Sequence, residues 1–206
     1  RRLRDNIKPN GVLRVAKASV FGTILEVDVY QGVISTLIAG GFDFRQTREE
    51  EILDRKINLD SFEFPYDWRR DIVEAAQDLD YFIKRKSEQV YETRQQVFGD
   101  EARRPKFDLV AHSMGGLVAR YYLMYGAADL PKDGSLPELT WAGAKNINTV
   151  VFIAPPNSGS ILSFENLVNG KSFGPLQPFY EPALLGTQVS VYQLFPRTRH
   201  KRVTIK

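Results

Sequence analysis

The run Phe107-Asp108-Leu109-Val110-Ala111 is followed at once by His112-Ser113-Met114-Gly115-Gly116 and then by a helical pattern reaching Tyr125, stopped by Gly126. A short apolar run of this kind reads as a buried strand of a parallel sheet. A strand that passes into a helix through a serine and two glycines constrains the fold more than any other feature of the chain. It demands a sharp turn, with the serine at its apex.

The surrounding rhythm extends this unit. Residues 12–27 are rich in Val, Ile and Leu, are broken by Gly22, and read as extended. From Asp28, a fair N-cap, Val29, Val33, Leu37 and Ile38 recur at helical spacing until Gly40-Gly41. Residues 57–66 read as a strand ended by Pro65. Asp71 caps a long helix to about Phe98, with Ile72, Ala76, Leu79, Ile83, Val90 and Val97 on one face. Residues 127–146 form a polar loop, and residues 147–154 a second buried strand ended by Pro155-Pro156. Alternating strands and helices predict a parallel α/β sheet built from βαβ units. After residue 156 the alternation stops, and residues 157–196, rich in Pro, Gly, Phe and Leu, read as a cap or lid. The expected organisation is a single α/β domain over 1–206, incomplete because Arg1 reads as internal to a longer product.

The chemistry expected at the turn follows from its shape. Ser113 lies between small residues at −2 (Ala111) and +2 (Gly115), the spacing of the G-x-S-x-G elbow with Ala in the first place. The flanking side chains approach each other inside such a bend, so only Gly or Ala fits. The hydroxyl is lifted above the sheet edge, and the N–H of Met114, at the helix start, is the expected oxyanion donor. The competing reading is a serine that merely caps the helix. His112 neighbours Ser113 but points to the other face of the strand, which excludes it as the base.

The partners of Ser113 are not evident. In this order of elements an acid and then a His should follow the serine. His200 is the only later histidine, and it lies among Arg197, Arg199, Lys201 and Arg202, which oppose its protonation. Asp129, Asp133 and Glu138 fall at the wrong edge of the sheet. Glu165 and Glu181 are on the right side but follow no strand. The acid and base are expected beyond Lys206.

Four stretches carry a family resemblance. Asp108 to Leu123, DLVAHSMGGLVARYYL, is similar to lipases and to the lecithin:cholesterol acyltransferase-like family. Tyr66-Asp67-Trp68-Arg69 resembles that family's Y-D-W-R motif. Ile153-Ala154-Pro155-Pro156-Asn157-Ser158-Gly159-Ser160 resembles its T-P-x-x-G-S turn, and Tyr192-Gln193-Leu194-Phe195-Pro196 its Y-Q-L-L-P stretch. The resemblance implies an α/β-hydrolase fold, a Ser-Asp-His triad and a lipid acyl donor. It carries over Ser113 as nucleophile and the Met114 amide as oxyanion donor. Tyr66, Asp67 and Trp68 carry over as candidate substrate-binding residues. The G-I-L-G-S loop that would give a second oxyanion donor is absent from this sequence. Phe164, Phe173, Phe179 and Tyr180 could cover an acyl chain or simply pack helices.

Composition narrows the alternatives. The chain has no cysteine and two histidines, so disulfides and thiolate metal sites are excluded and a His-rich metal site is unexpected. No metal or cofactor is expected, and zero Cys leans toward a cytoplasmic setting. The net charge is +3, but residues 1–17 carry +5 and residues 197–206 another +5, which leaves −7 on the stretch between. A body of that sign excludes a nucleic-acid binder. The basic ends read as solvated charge, with peripheral membrane contact as the alternative. The expected partner is a lipid or ester substrate. The activities in play are a lipase or esterase, an O-acyltransferase, or a thioesterase or peptidase on the same fold. A non-catalytic scaffold that keeps the elbow is the reading from another class.

Overall fold

The computed structural model describes residues 8–20, 23–42, 61–172 and 179–197. They fall in two compact units, one from Lys8–Pro65, the other from Tyr66–Phe173 and Phe179–Lys206.

In the smaller unit, β1 (Val15–Val20) pairs antiparallel with β2 (Thr23–Asp28), Val15 opposite Asp28 and Val20 opposite Thr23. The extended segment is therefore a hairpin, with Gly22 outside the described residues. Asp28 ends β2 instead of capping a helix. The N–H groups of Val29, Tyr30 and Gln31 all return to the Arg14 carbonyl at 3.0–3.2 Å. That turn delays α1 to Gln31–Ala39, with Tyr30 at the N-cap and no side-chain bond to replace Asp28. The stop at Gly40-Gly41 is as expected, Gly41 taking φ +96°. The inward residue of α1 is Ile34, 5% exposed; the anticipated Val29, Val33 and Ile38 stand 37–50% exposed. Arg14 pairs with Glu63. Of the strand expected over 57–66, residues 57–60 lie outside the described residues and 61–66 form no regular element.

The larger unit is built on α2 (Ile72–Phe98), whose N-cap Asp71 accepts from the Val73 N–H at 2.8 Å. Its buried face runs through Val73, Ala76, Leu79, Asp80, Ile83 and Val90. The expected face is displaced at both ends: Ile72 gives way to Val73, and Val97 is 69% exposed. Asp80 enters that face because Lys84, one turn on, neutralises it at 2.7 Å. Gly99 ends the helix at φ +57°.

Strand β3 (Phe107–His112), helix α3 (Met114–Tyr125) and strand β4 (Ile147–Ile153) follow. The strands pair in parallel, Val110 beside Val151 and His112 beside Ile153. Helix α3 packs on α2 and sinks Val118, Ala119 and Tyr122 to 0–3% exposure. Its Arg120 lies 5.1 Å over the Phe152 ring, tying helix to sheet. The opposite sheet face is open: Val110 and Val151 are 46% and 47% exposed, where burial on both sides was expected. The polar loop after α3 ends in a 3-10 turn, Gly143–Asn146, packed on α3.

Beyond β4 come α4 (Ile161–Asn169), the two-residue ladder of β5 (Lys171–Ser172) with β6 (Phe179–Tyr180), α5 (Pro182–Leu185) and α6 (Val189–Gln193). Among the described residues no helix is long and apolar enough to cross a membrane.

Gly143 is the tightest point of this packing. A Cβ there would lie 2.1 Å from the Tyr122 carbonyl oxygen and 2.7 Å from its carbon. Backbone cannot swing aside as a side chain can, so Gly143→Ala should cost about 3 kcal/mol of unfolding free energy, at the upper end of overpacking effects. Urea denaturation measures it.

Candidate active site

The end of β3 and the start of α3 meet at Ser113, whose backbone takes φ +52° and ψ −128°. A residue with a Cβ pays for a positive φ, and such strain persists only where the surroundings over-determine it. Here they do. The Ser113 N–H bonds to the Ile153 carbonyl at 2.9 Å, carrying the β3–β4 ladder one residue past the strand. The Ser113 carbonyl accepts from Gly116 N–H at 2.9 Å and closes the first turn of α3. A serine that caps a helix sits in the extended region and bonds the backbone with its oxygen. Ser113 is not extended and its side chain makes no capping bond. The hydroxyl is thus not committed to the helix.

Packing explains the small residues around it. A Cβ on Gly116 would stand 2.6 Å from the Pro155 Cβ and 3.4 Å from the Phe152 ring. The turn after β4 therefore lies directly on the first turn of α3. Ala111, two residues before Ser113, is 9% exposed. Gly115 faces Tyr66, whose hydroxyl lies 3.7 Å from the place a Gly115 Cβ would take. Met114 heads α3, where backbone N–H groups have no carbonyl one turn back to receive them. His112 is exposed, on the open face of the sheet.

The Tyr66-to-Arg70 segment is held by its own charges. Asp67 accepts from Arg69 three times, at Oδ1 from the backbone N–H at 3.1 Å and from Nε at 2.8 Å and at Oδ2 from Nη2 at 2.5 Å, and Oδ2 also faces Arg70. Arg70 also reaches Glu74 at 3.5 Å. Hydrogen bonding from Arg69 holds the Asp67 carboxyl below its ordinary value of 3.8. Of the three candidate substrate-binding residues, Tyr66 lies beside the elbow, Asp67 is engaged by its neighbours, and Trp68 stands 42% exposed.

Gln193 has a role that its place in a motif did not reveal. Its Oε1 accepts from the Ile72 N–H at 2.9 Å, and its Nε2 donates to the Asp71 carboxylate at 2.8 Å. It caps α2 jointly with Asp71 across 122 residues of sequence. Its neighbours fasten to the turn after β4. Ser160 N–H donates to the Leu194 carbonyl at 2.7 Å, and a Cβ on Gly159 would fall 2.5 Å from Pro196. No local pattern announces a cap supplied from so far away. The motif segments 66–71, 113–116, 155–160 and 192–196 are thus linked by direct contacts.

The other anticipated groups lie elsewhere. Asp129, Asp133 and Glu138 follow α3, whose twelve residues carry the chain about 18 Å from the elbow. Glu165 and Glu181 are exposed, on α4 and at the start of α5. His200 lies outside the described residues.

The family model for lecithin:cholesterol acyltransferase matches residues 56–204. The chain belongs to the lecithin:cholesterol acyltransferase family. No curated protein matches it. Among solved structures, a chain in the crystal structure of the Tle4-Tli4 complex superposes with a TM-score of 0.50 at 21% identity, over 66% of this chain and 24% of that one. At that identity the likeness concerns fold alone, and the chain spans about a quarter of its neighbour's length.

The Asp67 pairs give a pH signature. A carboxyl held below its unfolded value adds stability above that value, and the contribution fades as pH falls through the lower folded value. Asp67→Asn should be less stable than the wild type at neutral pH. The gap should hold while the pH stays above the ordinary carboxylate value of 3.8 and close as the pH falls below it. Thermal melts across that range test the sign.

Proposed function

We propose that the protein is a serine acylhydrolase or O-acyltransferase on an α/β-hydrolase core, with lipid-like esters as acyl donors and Ser113 as nucleophile. The observation that carries this reading is the positive φ of a serine whose side chain caps nothing, between a parallel strand and a helix. A merely structural serine gains nothing from that strain. A nucleophile gains an oxygen raised beside unpaired N–H groups.

In the proposed reaction Ser113 Oγ attacks the ester carbonyl carbon while a histidine elsewhere in the protein takes the hydroxyl proton. The carbonyl oxygen becomes an oxyanion received by the Met114 N–H. Collapse expels the alcohol, which takes the proton back, and leaves an acyl group on Ser113. Water then releases a fatty acid, or a second alcohol receives the acyl group. Tyr66, beside Gly115, is the member of the Y-D-W-R segment positioned to meet the substrate. Asp67 acts through Arg69 to hold that segment. Trp68, with its exposed ring, is available to line an acyl path.

The intact protein should label with a fluorophosphonate probe, and Ser113→Ala should abolish labelling. The variant should also lower ester turnover on the order of 10³-fold or more, as loss of a nucleophile does. Turnover of long-chain esters with no cleavage of peptides would separate the lipid reading from a peptidase. A folded protein that neither labels nor turns over ester would be a scaffold that keeps the elbow.

A further inference from the structure

Tyr66 stands where two fixed elements meet, and both belong to the larger unit. On its C-terminal side, the Asp67 carbonyl accepts from the Arg70 N–H at 3.1 Å, and the Asp67 carboxylate is gripped by Arg69. The turn so closed runs straight into Asp71, which caps α2 through the Val73 N–H. Helix α2 packs on α3, and the first turn of α3 carries Met114. The backbone of Tyr66 and the amide of Met114 are thus mounted on one frame. A donor held in this way is aimed before any substrate arrives, which is what makes a polar group effective in a reaction.

The direction of the phenol follows from helix geometry. A Cβ leans toward the N-terminus of its helix. Gly115 is the second residue of α3, and the Tyr66 hydroxyl lies 3.7 Å from the place its Cβ would take. Among the described residues it is the one side-chain atom beyond the chain neighbours within 4 Å of that place. The phenol oxygen therefore stands at the mouth of α3, on the side toward which the first N–H groups point. Of the atoms an ester brings to Ser113, the carbonyl oxygen belongs at that mouth, because it gains negative charge and the helix start is electropositive. A half-buried phenol bonds a full negative charge about twice as strongly as a neutral carbonyl, so its contribution grows as the bond to Ser113 forms. We propose that the Tyr66 hydroxyl donates a hydrogen bond, beside that of the Met114 N–H, to the oxyanion formed when Ser113 attacks the ester, an assignment that rests on Ser113 as nucleophile. Tyr66 keeps its proton throughout: the carbonyl π pair moves onto oxygen as the Ser113 Oγ–carbon bond forms, and returns when the alcohol is expelled.

The test is Tyr66→Phe in the intact protein, with turnover counted per Ser113 titrated by a fluorophosphonate, so that misfolded chains do not enter. Both kcat and kcat/KM should fall together, on the order of 10²-fold, as on loss of one oxyanion donor. A long-chain trifluoromethyl ketone, which adds to a serine and leaves an oxyanion, should bind more weakly by a similar factor. The matching secondary alcohol, which forms no oxyanion, should bind within about twofold of wild type. Incorporation of 3-fluorotyrosine at position 66, which retains ring and donor, should restore turnover. A ring that only supports the elbow would weaken ketone and alcohol alike, and a group that only binds substrate would raise KM at unchanged kcat. Either of those results, turnover of Tyr66→Phe within about threefold of wild type, or failure of 3-fluorotyrosine to restore it, would overturn the donor and leave Ser113 as nucleophile. A wild-type protein that neither labels nor turns over ester would remove both assignments.

Discussion

The parallel contact between β3 and β4 holds Ser113 in its bend, and the remaining contacts of the site depend on it. A positive φ at a residue with a Cβ costs about 1–3 kcal/mol. No single hydrogen bond offsets that cost. The ladder bond from Ser113 to Ile153, the closing bond from Gly116 and the seating of Pro155 against α3 act together. Each needs the others, because Pro155 reaches Gly116 only if β4 keeps its register beside β3. The small residues at 111, 115 and 116 are therefore requirements of approach distance. Gly116 is the clearest case, since any side chain there would meet a proline ring that cannot rotate away.

Long-range contacts then join pieces that are far apart in sequence. Gln193 completes the cap of α2, and α2 supports α3, whose first turn carries Met114. Gly159 lets the chain near Pro196 cross the turn after β4. Arg69 and Arg70 close the loop that presents Tyr66 by neutralising Asp67. The motifs are thus mechanically coupled through backbone caps and close approaches more than through side chains that touch one another at the elbow.

What was legible in the sequence follows from range. The bounds of α2 and α3, the two parallel strands and the elbow itself rest on local signals: an Asp cap, terminating glycines, short apolar runs. Asp28 misled because a hairpin claimed it, a competition visible only once the Arg14 carbonyl had gathered three N–H groups. The inward face of α2 slipped from Ile72 to Val73 because neutralisation by Lys84 let a charged residue, Asp80, sit inside. Gln193 was legible as part of a motif but not as a cap, since its partners lie 121 and 122 residues away. The exposure of Val110 and Val151 was illegible for the same reason, because periodicity reports an apolar strand and not what covers it.

The distribution of apolar surface completes the physical picture. Side chains that pack α2, α3 and the inner sheet face reach near-complete burial, as Tyr122 and Val118 do at 0% and 2% exposure. Helix α4 does the reverse, placing small polar Ser163 inward and Ile161, Leu162, Phe164 and Val168 outward, while α5 and α6 bury Leu185 and Val191. An apolar side chain left outward on α4 forgoes up to about 1.5–3 kcal/mol of burial. The segment nonetheless stays fixed to the elbow through Gly159, Ser160 and Gln193. Backbone bonds and close approaches thus tie the stripe on α4 to the turn after β4, and the seating of Pro155 against Gly116 ties that turn to the first turn of α3.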